Sequence, residues 1–161
     1  LRFVGLELIV CGADIGVRVR HATTDTISAG AGASYQTFTT EDYDTDTMWT
    51  GGGSAKKITF TTAGKYTVMY SVTGQVTGEA ATGTISSHCR LNGSGAPIVG
   101  SETSLPIPKD AASLTYVFNC AFEYNFAAAD YIELGVTNNL ASNSVGVTPV
   151  AIQARKVDMG G

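Results

Sequence analysis

The sequence predicts an all-β protein, one domain built as a sandwich or barrel of short antiparallel strands. Apolar and polar residues alternate with a period of two over several segments, which is the pattern of half-buried strands. No segment carries the sustained i, i+3, i+4 apolar pattern of a helix. Glycine is abundant, with 19 among 161 residues, and threonine is frequent, a composition that favours strands and turns.

Three alternating segments lie in the first part of the chain. GVRVRHA at 16–22 alternates valine with arginine. ISSHCRL at 85–91 alternates and then ends in the turn LNGSG. Between them, KYTVMYSVTGQV at 65–76 keeps its other face polar except for Met69. Its apolar face consists of Tyr66, Val68, Tyr70, Val72 and Val76.

Three further segments complete the predicted strands. LTYVFNCAFEYNF at 114–126 is the longest, and YIELGV at 131–136 and VGVTPVAIQARKV at 145–157 follow it. The even positions of the longest segment form an aromatic face: Leu114, Tyr116, Phe118, Cys120, Phe122, Tyr124 and Phe126.

The chain divides into an apolar stretch at 1–15, a main domain at 16–157 and a short tail at 158–161. The stretch LRFVGLELIVCGADI contains charged residues and lacks a basic n-region, so it does not predict a signal peptide. We expect it to be either an attachment arm or an ordinary first strand. Because the sequence begins at Leu1, we also expect that an upstream segment was removed or that the chain is part of a longer polypeptide.

Charge and composition exclude several classes of protein. The net charge of −4 and the pI near 5.0 argue against a nucleic-acid groove or a polybasic membrane patch. No apolar run reaches the roughly 18 residues of a membrane span. Cys11, Cys89 and Cys120 form no CxxC pair, so we expect free and mostly buried thiols.

The segment TTEDYDTDTMW at 39–49 concentrates carboxylates before an apolar pair. It does not match an EF-hand loop, because Thr47 stands where glycine is needed and Gly53 where the bidentate glutamate belongs. A looser calcium site, the one cofactor that the sequence leaves open, would use Asp42, Asp44 and Asp46. The alternative is a turn in which aspartate side chains accept hydrogen bonds from downstream backbone amides.

The sequence gives little evidence of catalytic motifs, and we expect that this protein is not an enzyme. Neither His21 nor His88 has a nucleophile that the sequence places beside it. In Ser87-His88-Cys89, adjacent strand residues point to opposite faces, so His88 and Cys89 do not meet. A GxSxG elbow is absent, and no helical pattern follows TGGGSAKK to complete a phosphate-binding loop.

The segment 38–70 resembles the signature of the globular head domains of complement one-q, which share a jelly roll with the tumour necrosis factor family. The matching positions are Phe38, Asp44, Trp49, Ile58, Gly64, Tyr66, Val68 and Tyr70. Ile58 and Val68 replace phenylalanine, and the gap between Trp49 and Ile58 is longer than usual. CRLNGS, FAAADYIELGV and VAIQARKV resemble later strands, which extends the likeness over 16–157.

The resemblance implies a jelly-roll sandwich of about ten strands that assembles as a homotrimer. The aromatic face of 114–126 would then be core, or would partly line the subunit interface. The sequences of 43–49 and 58–72 resemble those of jelly rolls in tailed bacteriophages.

That likeness implies a non-enzymatic protein on the virion surface, a capsid decoration or a tail-fibre knob. Its partners would be the major capsid protein or the tail, and a host receptor. The alternative is a secreted complement one-q-like module that binds sugars or proteins through its loops.

Overall fold

A computed structural model describes residues 15–51, 55–76, 82–109 and 113–157 as eleven strands in two antiparallel sheets, with no helix in these ranges. This confirms the all-β sandwich. Apart from Ile15, the apolar stretch at 1–15 lies outside the described residues, as does the tail at 158–161. None of the described residues forms a helix that would be long and apolar enough to cross a membrane. The strands are β1 (Gly16–His21), β2 (Asp25–Ile27), β3 (Ala31–Tyr35), β4 (Thr40–Asp44), β5 (Ile58–Thr59), β6 (Gly64–Val76), β7 (Gly83–Leu91), β8 (Thr103–Ile107), β9 (Thr115–Phe126), β10 (Tyr131–Asn138) and β11 (Val145–Lys156).

The larger sheet has the order β4-β1-β11-β6-β9, with β2 also paired to β11. The smaller sheet has the order β3-β10-β7-β8, with β5 also paired to β10. All six segments that the sequence predicts as strands are strands in the structure. The sequence missed β2, β3, β5 and β8, and it placed β4 in a turn. The correction is that 40–44 forms an edge strand on β1, and the turn begins at residue 45.

The core lies between the two sheets and is rich in aromatic side chains. β6 and β9 pair without interruption from Gly64 opposite Phe126 to Gln75 opposite Thr115. The rings of Phe60 and Phe126 stack with centroids 3.7 Å apart, and Tyr66 meets Phe60 edge-on at 4.7 Å. The aromatic face of β9 therefore packs inside the protomer, where Tyr116, Phe118, Phe122 and Phe126 are buried while Cys120 and Tyr124 are partly buried.

This pairing leaves the opposite face of the larger sheet uncovered by the other residues that the structure describes. Across β1, β11, β6 and β9, one row of neighbouring residues is Arg18, Gln153, Met69 and Ala121. The next row is Arg20, Ala151, Ser71 and Asn119. We call this surface the outer face of the larger sheet.

Candidate functional site

The acidic segment is organised around Asp44. Its Oδ1 accepts hydrogen bonds from the backbone amides of Asp46 at 3.1 Å and Met48 at 3.0 Å. Its Oδ2 accepts one from the Trp49 amide at 2.7 Å. The turn so formed directs Met48 and Trp49 into the core, where both side chains are buried. Asp44 thus has the turn-forming role that the sequence offered as one alternative.

The three candidate calcium ligands have different partners. Asp42 pairs with Arg18 and Arg20, and Asp46 accepts a hydrogen bond from the Thr61 hydroxyl. Within the ranges that the structure describes, no group of three histidine, cysteine or acidic residues is placed to hold a metal ion. The geometry gives the calcium hypothesis no support.

The other signature residues build the fold. Phe38, Ile58, Tyr66 and Val68 are buried in the core, and the Tyr66 hydroxyl donates to the Thr62 carbonyl at 2.8 Å. Gly64 has a φ of 150°, which side chains rarely adopt, and a Cβ there would lie 2.7 Å from Lys156 Cε. The role of these residues is therefore to stabilise the fold and not to bind a ligand.

Tyr70, the last signature residue, anchors a polar cluster between the sheets. Its hydroxyl donates to the Ser101 carbonyl at 2.6 Å and lies 3.1 Å from Ser87 Oγ. Ser87 Oγ in turn lies 2.7 Å from Thr103 Oγ1. Burial raises the pKa of Tyr70, so the hydroxyl stays protonated and donates. The cluster joins β6, β7 and β8 in the interior.

His21 Nδ1 lies 3.4 Å from the Thr39 hydroxyl oxygen, whereas His88 points away from its two neighbours in the sequence. Ser87 and Cys89 point into the core, whereas His88 points outward from the smaller sheet against the Tyr35 ring, with centroids 6.1 Å apart. This confirms the opposite orientation of His88 and Cys89 predicted from strand geometry. Burial raises the pKa of the Cys89 thiol, which disfavours the reactive thiolate. Cys89 and Cys120 are both free, and Cys11 lies outside the described residues.

The outer face of the larger sheet is the surface that stands out. Its centre is uncharged, and two large apolar side chains lie exposed on it: Met69 at 38 % and Val117 at 55 %. Only one other large apolar side chain of the described residues is exposed, Val99. Charged groups lie at the margins, where Lys65 pairs with Glu123 at one end. An uncharged centre with exposed apolar side chains and a charged rim is typical of a contact surface.

An open depression of ≈ 430 Å³ occupies this face. Met69, Ala121 and Ala151 provide its apolar lining, while Ser71, Asn119 and Gln153 add hydrogen-bonding groups. Arg18 stands at its edge, with its Nε 3.3 Å from Asp42 Oδ2. Arg20 Nε lies 2.8 Å from Asp42 Oδ1, so two guanidinium groups share one carboxylate at this margin.

A second cavity of ≈ 360 Å³ lies near the start of β11. It contains no charged residue, and its lining is dominated by hydroxyl groups. The residues are Thr24, Thr26, Thr73, Gly74, Gln75, Thr115, Ser144, Gly146 and Thr148. We call it the hydroxyl-lined cavity.

The sequence did not predict the outer face as a site. One signal was present, since Met69 interrupts the polar side of its strand. Each row spans more than 100 positions of the chain, as from Arg18 to Gln153, so the proximity of its residues depends on the strand order.

Comparison with protein-family models and with curated proteins finds no match. Solved structures do match. The globular domain of zebrafish complement 1qA protein has a TM-score of 0.60 at 10 % identity, over 89 % of this chain and 97 % of that one. Eiger TNF from S. frugiperda has a TM-score of 0.63 at 12 % identity, over 92 % of this chain and 95 % of that one. The chain therefore has the jelly-roll fold of complement one-q and tumour necrosis factor domains.

Proposed function

We propose that this chain is a non-enzymatic jelly-roll module that assembles as a homotrimer and forms an exterior part of a virus particle. The observation that carries the assembly is the uncharged outer face of the larger sheet, with Met69 and Val117 exposed. Its role would be mechanical and adhesive, as a capsid decoration or a tail-fibre knob that contacts a host receptor.

The outer face supports assembly on energetic grounds. Removing apolar surface from water contributes about 25 cal/mol for each Å², and this face offers methyl and thioether groups without charges to desolvate at its centre. A stable contact buries roughly 800 Å² on each partner, which requires most of a sheet face. Because the aromatic face of β9 is used in the protomer's own core, the outer face is the surface of the larger sheet left for a second copy.

A structural role is supported by what the polar residues of the chain contact. The carboxylates of Asp42 and Asp44 are engaged by arginines and by backbone amides. Glu133 is buried in an ion pair, with its Oε2 2.8 Å from Arg90 Nε. These contacts hold strands and turns together.

The virion assignment is supported by the resemblance of 43–49 and 58–72 to bacteriophage jelly rolls. On this proposal the partners are the major capsid protein or the tail, and the location is the virion surface. The apolar residues of 1–15, among them Leu6, Leu8, Ile9 and Val10, are the candidate attachment segment.

Immunogold electron microscopy of purified particles tests the proposal, with an antibody raised against 16–157. We expect label on the exterior of the capsid or the tail, and none on particles made without the gene. Absence of the protein from purified particles, with recovery in the secreted fraction, would overturn the virion role. Deleting residues 1–15 tests attachment: we expect a folded domain that no longer loads onto particles.

The hydroxyl-lined cavity favours a second candidate function, a secreted module that binds sugars. Six hydroxyl-bearing residues and the Gln75 amide offer both donors and acceptors without charge, which suits a neutral polyhydroxylated ligand. Glycan-array binding that is lost in Thr26→Val and Thr115→Val, but retained in Thr84→Val on the smaller sheet, would support it. An upstream signal peptide or collagen-like Gly-X-Y repeats would favour the same alternative.

A further inference from the structure

Val99 is the most exposed large apolar side chain of the described residues, at 92 %. It sits in a tight turn, closed by a hydrogen bond from the Ser101 amide to the Ile98 carbonyl at 3.0 Å. The turn is fixed to β7, because the Ile98 amide and the Ser101 hydroxyl both donate to the Cys89 carbonyl. A β-branched side chain on a fixed turn loses little conformational entropy when it is buried.

The turn lies along the edge of the larger sheet, beside the depression on the outer face. The Cys120 thiol donates to the Gly100 carbonyl at 3.4 Å, and a Cβ on Gly100 would lie 3.8 Å from Phe122 Cβ. Residues 119–121 of the same strand, β9, contribute to the depression. Turn and depression are thus on adjacent sides of one protomer, at the same level along β9.

We propose that, in the homotrimer, Val99 of each protomer inserts into the depression of its neighbour and packs on Met69, Ala121 and Ala151. This rests on the proposed trimeric assembly and names the element that fills its contact face. The three large apolar side chains left exposed among the described residues divide between the two surfaces: Val99 on the turn, Met69 and Val117 on the outer face. Inserting Val99 into the depression removes Val99 and Met69 from water, and Val117 lies on the same face outside the depression.

Charged residues near the turn and at the margin of the depression are of opposite sign. Glu102 follows the turn and is exposed, while the guanidinium groups of Arg18 and Arg20 stand at the margin of the depression, where they share Asp42. A contact that places the turn on the depression brings a carboxylate toward that margin. Opposite charges at the rim favour one orientation of the contact over others.

The placement also favours a closed ring. A contact between two different surfaces is heterologous, and it gives a ring or a filament according to the rotation between neighbours. Because the turn and the depression lie on adjacent sides, each contact rotates the next copy steeply, which favours a small ring. A trimer satisfies this condition.

The first experiment compares Val99→Asp with Ser104→Asp, an exposed position on β8, by sedimentation velocity of the purified protein at about 10 µM. We expect Val99→Asp to weaken assembly by roughly tenfold or more and to sediment as a monomer, because it places a charge in an apolar depression. Ser104→Asp should sediment as the wild type does. Similar melting temperatures of the variants and wild type at low concentration, where assembly adds no stability, establish that both variants are folded. A trimeric Val99→Asp overturns the inference.

Disulfide cross-linking tests the contact directly, in a Cys11→Ser, Cys120→Ala background. We expect Val99→Cys with Ala121→Cys to give covalent dimers and trimers on a non-reducing gel, and neither single variant to do so. Gly95→Cys with Ala121→Cys is the matched control from an exposed part of the same loop. A trimeric wild type without the 99–121 cross-link overturns the inference and leaves the proposed assembly standing, whereas a monomeric wild type overturns both.

Discussion

The Asp44 carboxylate and the Trp49 backbone amide are joined by a 2.7 Å hydrogen bond that closes the turn after β4. The Asp46 and Met48 amides also donate to this carboxylate, so both of its oxygens accept hydrogen bonds from backbone amides of the turn. The same bonds bring Met48 and Trp49 into the core. The charge of Asp44 is therefore part of how the chain folds.

Asp44→Ala should destabilise the domain by about 2–3 kcal/mol, because backbone amides lose a charged acceptor and two buried apolar side chains lose their anchor. For a domain of this size that corresponds to a fall in melting temperature of roughly 5–10 °C. Glu41→Ala, at an exposed position three residues earlier, should stay within about 0.5 kcal/mol of wild type. Urea unfolding of the three proteins measures the difference.

Calcium should leave these unfolding curves unchanged, since Asp42, Asp44 and Asp46 have separate partners. The check is the melting temperature in 2 mM calcium and in excess chelator. If calcium raises the melting temperature of wild type but not of Asp44→Ala, the calcium site is restored as an explanation.

Gly74→Ala should be strongly destabilising, by about 3 kcal/mol or more. Gly74 lies opposite Tyr116 on β9, and a Cβ at this position would lie 2.0 Å from the Tyr116 hydroxyl oxygen. The tyrosine is buried and packs against Phe118, so its ring must be displaced within the core to admit the methyl group. Gly32→Ala is the control, because nothing lies within 4 Å of its added Cβ.

A double-mutant cycle identifies the cause of the Gly74 effect. Gly74→Ala combined with Tyr116→Ala should cost clearly less than the sum of the two single changes, since removing the ring removes the clash. Additive losses would mean that the glycine is required for its backbone rather than for the space above it.

Lower pH should destabilise the domain through His88. Burial lowers the pKa of His88 below its ordinary value of 6.5; Arg90 lowers it further and Glu102 partly opposes this. The Tyr35 ring lies against the His88 ring and beneath the Arg90 guanidinium, and Arg90 is ion-paired with Glu133. Above pH 6.5 His88 is neutral in both the folded and unfolded states, and as the pH falls through 6.5 the unfolded chain takes up the proton first.

Stability that depends on neutral His88 is therefore lost between pH 6.5 and the lower pKa of the folded state. Free energies of unfolding at pH 7.5 and 5.5, measured for wild type and His88→Gln, isolate this effect from that of the carboxylates. We expect the wild type to lose more stability than the variant over this interval. Equal losses would show that His88 does not titrate differently on folding.

How much of the fold the sequence predicted depends on strand length and on local pattern. Long strands such as β6 and β9 have enough residues for alternation to be recognised, and both were predicted. β5, at Ile58–Thr59, is too short to show a period, and β8 contains Pro106, which weakens a strand pattern. β4 was predicted as a turn because of its acidic residues. In the fold it is an edge strand, where charges are common, and arginines of β1 pair with its Asp42.

The candidate site was harder to predict because its residues are brought together by strand pairing and not by a local sequence pattern. Asp44 and Trp49 are close in sequence, so their turn was foreseeable from spacing. Met69 and Ala121 are neighbours only because β6 and β9 pair in one particular register. Val99 has no sequence pattern that predicts its exposure, which results from the turn that Cys89 fixes.

Met69→Asp should convert the trimer into monomers without unfolding the protomer. Met69 is 38 % exposed on the outer face of the larger sheet, so an aspartate there remains hydrated in the free protomer. In a trimer the same carboxylate would be desolvated three times, once in each contact, with Ala121 and Ala151 as neighbours. Thr84→Asp, at an exposed position on β7, places the same charge on the smaller sheet and should not affect assembly.

Light scattering coupled to size exclusion at micromolar concentration measures the outcome. Wild type and Thr84→Asp should show three times the chain mass of 16.7 kDa, and Met69→Asp the mass of one chain. The melting temperature at low concentration should be similar for all three, because the substituted side chains are exposed in the protomer. A trimer that survives Met69→Asp would place the subunit contact on another surface, since an unpaired carboxylate at the centre of an apolar contact costs several kcal/mol.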